Sequence, residues 1–265
     1  MIDTHAHVHV DAYDGDRPTV LTRAFASGVR ALLEVNITAG GWPGVRRLAE
    51  SDPRIFAALG VHPNDAEATP AAVLGALLER EISHPRVRAV GETGLDYYRD
   101  RSSPEIQQAS FRRHIAAARE ADLPLVVHCR KAHDDVLKLL AEEGRGKVRG
   151  VMHCFSGDLE IARKSLDIGF RLGLGGSITY DAARWRPLVR AVGLEALVLE
   201  TDCPYLTPEP DRGRRNEPAR VWQTAQALAA YLDLTVEEVE ASTDRTAVLL
   251  FGLDVAGPAA PERMR

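Results

Sequence analysis

The chain has 265 residues, a formal net charge of −5, 45% hydrophobic residues and three cysteines. This length suits one large domain, and the acidic balance argues against a protein that holds long duplex DNA on an extensive basic face. Three scattered cysteines fit a reducing compartment rather than a disulfide framework. The first residues show no leader-like pattern, and no apolar stretch reaches the roughly 18 residues of a membrane helix. We therefore expect a cytoplasmic protein without a membrane segment.

Eight short apolar runs follow one another along the chain, and each is succeeded by a helical pattern. The runs cover residues 1–7, 31–36, 55–60, 87–91, 123–128, 150–153, 170–175 and 196–200. Continuous Val, Leu, Ile and Ala runs are typical of parallel strands that are buried on both faces. Their spacing suits repeated units of strand, loop and helix. The pattern predicts an α/β fold, a single (β/α)8 TIM barrel over residues 1–254, with a flexible tail at 255–265.

Several helix starts carry capping signals. Ser103 and Thr69 each precede a proline, which predicts an N-cap followed by a first helical turn. Asp158 is placed to cap a helix over 159–167. Thr235 and Glu238 have the spacing of a capping box for a last helix that runs to about residue 251.

Six potential metal ligands lie at the ends of five of the predicted strands. Catalytic groups of a TIM barrel belong at the carboxyl ends of its strands, so we expect these six side chains to converge. A His-x-His pair can also serve a structural role, and a carboxylate inside the barrel mouth could instead pair with an arginine. The six residues are His5, His7, Glu92, His128, His153 and Asp202.

The predicted cluster has the chemistry of a binuclear metal site. A carboxylate can bridge two cations, whereas a neutral imidazole binds one, so Glu92 is the candidate bridge. Imidazole-rich coordination favours Zn or Mn, with Mg as a further possibility, and two such ions would generate a bridging hydroxide near neutral pH. We predict a metal-dependent hydrolase with Glu92 and Asp202 in catalytic roles, Asp202 accepting a proton from the attacking water.

Each cysteine directly follows one of the predicted ligands. Cys129, Cys154 and Cys203 come after His128, His153 and Asp202, and thiolates are good zinc ligands. One step along an extended strand reverses the side chain, so a ligand and the next residue cannot both face the pocket. We therefore expect the cysteines to pack as small hydrophobic residues between the barrel and its helices.

Seven motifs occur in order over residues 1 to about 220. They are DTHAH at 3–7, GVHP at 60–63, GETGLDYY at 91–98, HCRKAH at 128–133, HCFSG at 153–157, ETDCPYL at 200–206 and RNEP at 215–218. Together they resemble the TatD family of metal-dependent DNases, members of the amidohydrolase-like barrel superfamily. Two departures, His9 in place of a usual Asp and the stretch 243–246, affect no predicted ligand.

The resemblance implies how the ligands divide between two ions and what the enzyme does. His62 would contact the scissile phosphate or the leaving oxygen and act as its acid. The expected reaction is 3′–5′ removal of nucleotides from single-stranded DNA, with RNA as a second substrate. One ion would be held by His5, His7 and Asp202, a second by His128 and His153, and both by Glu92.

Substrate contacts are expected from arginines and tyrosines near the barrel mouth. Arg130 and Arg215 are candidates to hold phosphates, although such arginines can equally be solvated surface charges. Arg212 and Arg214 belong to the same basic group, and Tyr97, Tyr98 or Tyr205 is a candidate to stack on a terminal base. We expect short nucleic-acid ends as substrates, no obligate protein partner and a monomer.

Two other functions use the same ligands. Metals polarise carbonyls as readily as phosphoryl groups, so a hydrolase of amides, lactones or aminoacyl esters, for example a D-aminoacyl-tRNA deacylase, is the first alternative. The second is a non-catalytic protein in which the metal only stabilises the barrel. Six ligands for two ions leave open coordination positions, which disfavours this second alternative.

Overall fold

The computed structural model describes residues 1–99 and 101–255, and its core is an eight-stranded parallel sheet. The strands are β1 (Ile2–Ala6), β2 (Ala31–Val35), β3 (Ile55–Leu59), β4 (Val87–Asp96), β5 (Leu125–Arg130), β6 (Gly150–Met152), β7 (Phe170–Leu174) and β8 (Leu197–Leu199). They are hydrogen-bonded in sequence order from β1 to β8. Just beyond β8, a parallel bridge joins Ala6 to Cys203, so the sheet forms a nearly closed barrel. The prediction of a TIM barrel is confirmed.

Nine α-helices occur in the described part of the chain. They are α1 (Arg17–Ala26), α2 (Trp42–Ser51), α3 (Ala71–Ile82), α4 (Pro104–Ala121), α5 (His133–Gly144), α6 (Leu159–Asp167), α7 (Ala182–Val192), α8 (Val221–Leu232) and α9 (Val236–Phe251). Among residues 1–99 and 101–255, no helix is both long enough and apolar enough to span a membrane.

Most of the predicted helix starts are confirmed. Ser103 accepts a hydrogen bond from the backbone N–H of Ile106, and Asp158 caps α6 through the N–H of Ile161. Thr235 and Glu238 form the reciprocal capping box of α9. The prediction that Thr69 caps α3 is wrong, because the N-cap residue of α3 is Pro70, which makes no side-chain hydrogen bond to the helix. Thr69 instead lies at the end of the preceding 3-10 helix, where its backbone N–H donates to the carbonyl oxygen of Ala66.

An apolar cluster fills the barrel interior towards the N-terminal ends of the strands. It contains strand residues such as Leu33, Phe56 and Val126 together with Leu250 and Phe251 of α9. Hydrogen bonds hold α9 in this position, since the backbone N–H of Ile2 donates to Asp244 at 2.7 Å. A second, larger apolar cluster lies between the strands and the surrounding helices. Because α9 closes one end of the barrel, polar side chains of the interior collect at the other.

The tail predicted at 255–265 falls almost wholly outside the described residues. Val255 packs against the inner apolar cluster, and residues 256–265 are not among those that the structure describes.

Candidate metal centre

The six residues predicted as ligands meet at the carboxyl ends of the strands. β1 and β4 contribute His5 and Glu92, and β5 contributes His128. The other three lie just after a strand, since His7 follows β1, His153 follows β6 and Asp202 follows β8. The sequence therefore identified a cluster that the fold brings together.

Glu92 occupies the middle of this cluster, with its two carboxylate oxygens facing different histidines. Its Oε2 lies 3.4 Å from His5 Nε2 and 3.9 Å from His7 Nε2. Its Oε1 lies 2.9 Å from His128 Nδ1 and 3.9 Å from His153 Nε2. A carboxylate placed in this way can serve two cations at once.

Two glycines shape the strand that carries Glu92. Gly91 has a φ of 147° and Gly94 a φ of 140°, conformations that L side chains rarely adopt. A Cβ at these positions would lie 2.5 Å from the carbonyl oxygen of Val126 and 2.0 Å from that of His128, respectively. The register of β4 against β5 shifts between Gly91 and Thr93, and pairing continues to Asp96, five residues beyond the predicted end of this strand.

Asp202 completes one side of the cluster. Its Oδ1 lies 3.3 Å from His7 Nε2 and 3.8 Å from both His5 Nε2 and His153 Nε2. The rings of His5 and His153 stack with centroids 3.4 Å apart. The structure thus groups His153 with His5 and Asp202, whereas the resemblance paired it with His128. The division of ligands between two ions stays a prediction.

Buried acceptors lie behind three of the four histidines. His7 Nδ1 donates to the carbonyl oxygen of Val35 at 2.7 Å. His128 Nε2 lies 3.2 Å from Asp96 Oδ2, and His153 Nδ1 lies 3.1 Å from Glu200 Oε2. The His153–Glu200 contact is close but lacks hydrogen-bond geometry, and His5 Nδ1 is buried without a hydrogen-bond partner within the described residues. Sequence reasoning assigned no role to Asp96 or Glu200, although both stand in the motifs quoted above.

Two further buried carboxylates stabilise the backbone around the ligands. Asp3 accepts hydrogen bonds from the backbone N–H and the hydroxyl of Thr201, the residue before Asp202. Burial raises the pKa of Asp3 to about 8 in spite of these hydrogen bonds. Glu34 accepts from the backbone N–H groups of Val8 and His9 and also contacts the His9 ring. His9 thus lies behind the ligands, in contact with Glu34.

The carboxylates and imidazoles of the cluster shift one another's pKa values. Burial opposes the charge on Glu92, but the surrounding imidazoles, His62 and His153 foremost, hold its pKa well below the ordinary value. Burial likewise opposes a charged His7, yet the carboxylates of Asp202 and Glu92 raise its pKa to about 8. His153 behaves similarly, because Glu200 and Glu92 raise its pKa to about 10 against the effect of burial. Without a cation, the site compensates its carboxylates with protons.

His62 lies beside the cluster as a neutral hydrogen-bond donor. Burial lowers its pKa to about 4 in spite of the nearby carboxylate of Glu92. Its Nδ1 accepts the backbone N–H of Asn64 at 3.1 Å, so the imidazole proton resides on Nε2. That nitrogen lies 3.7 Å from Glu92 Oε1. The side chain can therefore present an N–H to a bound oxygen.

The cysteines differ from one another in their surroundings. Cys203 is buried in the outer apolar cluster and Cys129 packs against it, as expected. Cys154 does not pack away from the site, because its Sγ lies within 4.8 Å of the ligand atoms of His153 and Glu200. β6 has ended at Met152 and Cys154 has a φ of 44°, so strand alternation no longer applies there. Burial raises the pKa of this thiol well above its ordinary value, so the sulfur is protonated as long as no cation is bound.

The candidate substrate residues occupy contrasting environments. Arg130 stacks over the ring of Tyr98, with 4.0 Å between guanidinium carbon and ring centroid. Tyr205 is 57% exposed and its ring centroid lies 6.3 Å from that of His7. Arg215 forms two hydrogen bonds with Asp16 and another with the carbonyl oxygen of Ala12. Its guanidinium is therefore already engaged within the protein.

The remaining residues of this basic and aromatic set also make contacts within the protein. Tyr97 donates its hydroxyl to Asp135, Arg214 pairs with Asp211, and Arg212 stacks over Tyr180.

The donor set fits divalent cations. His7 donates its Nδ1 hydrogen to Val35, so once His7 gives up its second proton the lone pair of Nε2 faces the centre, 3.1 Å from His5 Nε2. Nitrogen donors this close together, beside the carboxylates of Glu92 and Asp202, match what a transition-metal ion requires. The number and identity of the ions remain predictions.

Comparison with known proteins identifies the family. A sequence model described as TatD related DNase matches residues 2–252. The uncharacterized metal-dependent hydrolase YabD of Bacillus subtilis is 38% identical over 255 residues, which cover 96% of this chain and 100% of YabD. A Klebsiella pneumoniae protein named 3′-5′ ssDNA/RNA exonuclease TatD is 35% identical, over 97% of this chain and 100% of that relative.

A solved structure agrees with this similarity. The crystal structure of YJJV, a TatD homologue from Escherichia coli K12, matches with a TM-score of 0.88 and 30% identity, over 95% of this chain and 98% of that one. From these similarities and the converging ligands, the chain belongs to the TatD family of metal-dependent hydrolases.

Proposed function

We propose that this protein is an exonuclease that removes nucleotides from the 3′ ends of single-stranded DNA or RNA, with two divalent cations in the centre around Glu92. The observation that carries the proposal is the position of Glu92, whose two oxygens face histidines from different strands. Two relatives named as 3′-5′ ssDNA/RNA exonucleases, at 35% and 34% identity, support the substrate and the direction.

The residues around Glu92 suit the cleavage of a phosphodiester. When bound, divalent cations neutralise charge on the phosphate and lower the pKa of a coordinated water molecule. Asp202 is 14% exposed at its side chain and can accept a proton from the attacking water. The neutral His62 can donate a hydrogen bond from Nε2–H to the leaving 3′ oxygen and stabilise its developing charge, while the proton that this oxygen finally takes up comes from solvent.

The rim of the centre offers contacts to a flexible strand. Arg130 lies two residues after His128 on β5 and faces the exposed ring of Tyr98. Its guanidinium can hold a phosphate, and the exposed ring of Tyr205 beside His7 can stack on a base. A few such contacts suit strand ends, in keeping with the net charge of −5.

The proposal is tested with 5′-labelled single-stranded DNA and RNA, the matching duplexes, and a panel of amides, lactones and D-aminoacyl-tRNA. Each substrate is assayed with Mg, Mn or Zn. We expect a ladder of products shortened from the 3′ end, and no comparable turnover of the carbonyl substrates. Faster hydrolysis of an aminoacyl ester than of any oligonucleotide would overturn the proposal in favour of a deacylase.

Two variants test whether the measured nuclease activity belongs to this protein or to a contaminant. Glu92→Gln keeps the shape of the side chain but removes its charge, so we expect the nuclease rate to fall by more than about 100-fold. The control is Glu160→Gln, which neutralises an exposed glutamate that forms an ion pair with Lys164 on α6. It should leave the rate unchanged. Equal rates for Glu92→Gln and the wild type would show that the activity does not arise at this centre.

A further inference from the structure

Asp96 is a buried carboxylate at the end of β4 whose acceptor sites are all occupied. It is 1% exposed, and its Oδ1 accepts the backbone N–H groups of Tyr98 and Arg99 at 2.9 and 3.0 Å. Its Oδ2 accepts the side-chain amide of Asn64 at 3.2 Å and lies 3.2 Å from His128 Nε2. These contacts hold the carboxylate in one orientation with one oxygen directed at a predicted metal ligand.

This contact determines which nitrogen of His128 can face the centre. An ionised carboxylate only accepts hydrogen bonds, so the nitrogen that meets Asp96 must carry a proton. The other nitrogen, Nδ1, lies 2.9 Å from Glu92 Oε1. In the neutral tautomer that carries its proton on Nε2, the lone pair is on Nδ1 and is directed at the centre of the cluster.

We propose that Asp96 is a positioning residue that fixes the tautomer and ring orientation of His128, so that this histidine presents Nδ1 to the metal centre. The proposal rests on the assignment of His128 as a ligand and does not depend on which substrate the enzyme cleaves. Acceptors behind metal-binding histidines commonly act in this way.

The orientation of His128 is the reverse of that of its neighbours. His7 uses Nδ1 for its outer hydrogen bond with Val35 and turns Nε2 inwards. His153 likewise has Nδ1 towards Glu200 and Nε2 towards Asp202. Among the four predicted ligand histidines, His128 is the one that turns Nδ1 inwards and the one that contacts Asp96. A change of hydrogen-bond polarity at Asp96 should therefore affect this ligand and leave the others in place.

The substitution Asp96→Asn reverses that polarity with little change in shape. The new amide can keep its oxygen towards the N–H groups of Tyr98 and Arg99 and then presents its NH2 group to His128 Nε2. That nitrogen must become the acceptor, which moves the imidazole proton to Nδ1, where a cation would bind. Asn64 Oδ1 is buried without a partner in the described residues, so its amide can turn to accept the other hydrogen of Asn.

The experiment measures zinc binding and histidine tautomers. Zn²⁺ stoichiometry and affinity are measured by competition with a chromogenic chelator for the wild type and for Asp96→Asn. We expect one Zn²⁺ to bind about 10- to 100-fold more weakly in the variant, with the affinity for the other unchanged. The matched control is Asp135→Asn, which removes a carboxylate at the same end of the barrel that contacts the hydroxyl of Tyr97. It should bind zinc as the wild type does.

Long-range ¹H–¹⁵N spectra of the zinc-loaded wild type decide the tautomer directly, even if the variant does not fold. We expect His128 to be protonated at Nε2 and the metal-bound nitrogen to be Nδ1. A wild-type spectrum with the proton on Nδ1 would overturn the proposal, as would equal zinc affinity in Asp96→Asn and the wild type. A failure of the nuclease assay alone would leave these measurements unaffected.

Discussion

The two ends of the barrel are built by the same eight strands but bury opposite kinds of side chain. At the N-terminal end, Leu33 and Phe56 pack against Leu250 and Phe251 of α9. At the C-terminal end, Glu92 and Asp202 lie among four histidines. Buried apolar surface stabilises a fold, whereas buried charges destabilise it unless they are compensated. The comparison indicates that stability resides mainly at one end and chemistry at the other.

The largest expected effect comes from a substitution in the apolar cluster at the N-terminal end of the barrel. Phe251 is 2% exposed, so Phe251→Ala leaves a cavity beneath the barrel and should lower the free energy of unfolding by about 3–5 kcal/mol. Chemical denaturation of the metal-free protein measures the loss. The rate per folded molecule, assayed well below the new unfolding midpoint, should match the wild type. A reduced rate at full folding would mean that α9 affects the metal centre.

A second prediction concerns a neutral histidine near the functional end. His114 on α4 accepts the backbone N–H of Val61 at Nε2 and donates from Nδ1 to the carbonyl oxygen of Ser110. Burial lowers its pKa from 6.5 to about 4. The unfolded chain therefore takes up this proton first, and the folded protein loses about 3 kcal/mol of stability as the pH falls from 6.5 to 4, with no loss above 6.5.

The substitution His114→Gln removes this titration and keeps an acceptor for Val61. Urea unfolding between pH 4 and 7.5 should show a shallower loss of stability in the metal-free variant than in the metal-free wild type. The two curves should run parallel above pH 6.5. Curves that stay parallel down to pH 4 would show that His114 is protonated at the same pH in the folded and unfolded states.

The smallest effect is expected at Arg215, which the sequence suggested as a phosphate contact. Arg215 and Asp16 are 34% and 37% exposed at their side chains, so solvent screens their ion pair. Arg215→Gln should cost less than about 1 kcal/mol of stability, measured by denaturation. If the guanidinium remains on Asp16 during catalysis, KM for an oligonucleotide should stay within about 2-fold of the wild type. A direct phosphate contact would instead raise KM by about 10-fold or more.

The positions of the strands and of the predicted ligands follow from local sequence patterns, and these features were predicted best. The eight apolar runs correspond to β1–β8, because strands buried on both faces require continuous apolar residues. The six predicted ligands converge because strand ends of a barrel meet at one rim. The roles of Asp96 and Glu200 could not be predicted, since each depends on a contact with a histidine in a different strand–loop unit. Nothing in the sequence next to a buried acid indicates which nitrogen atom that acid will contact.

Predictions from local sequence patterns were also wrong where the backbone departs from regular strand geometry. The expected orientation of Cys154 assumed an extended strand, but this residue has a positive φ after β6 has ended. The predicted end of β4 at Gly91 missed the shifted register that carries the strand on to Asp96. In both cases the deviation lies beside a predicted ligand, where the fold departs from regular structure to direct side chains into the site.

The hydrogen bonds that join β1 to the segment after β8, and so close the barrel, have a consequence for how the enzyme acquires its cations. The backbone N–H of Asp202 donates to the carbonyl oxygen of His5, and the N–H of His7 donates to that of Cys203. The first segment of the chain and one almost 200 residues later therefore join within the cluster itself. A growing or truncated polypeptide that lacks the later segment cannot assemble all six donors, so full cation uptake reports that the ring of strands has been completed.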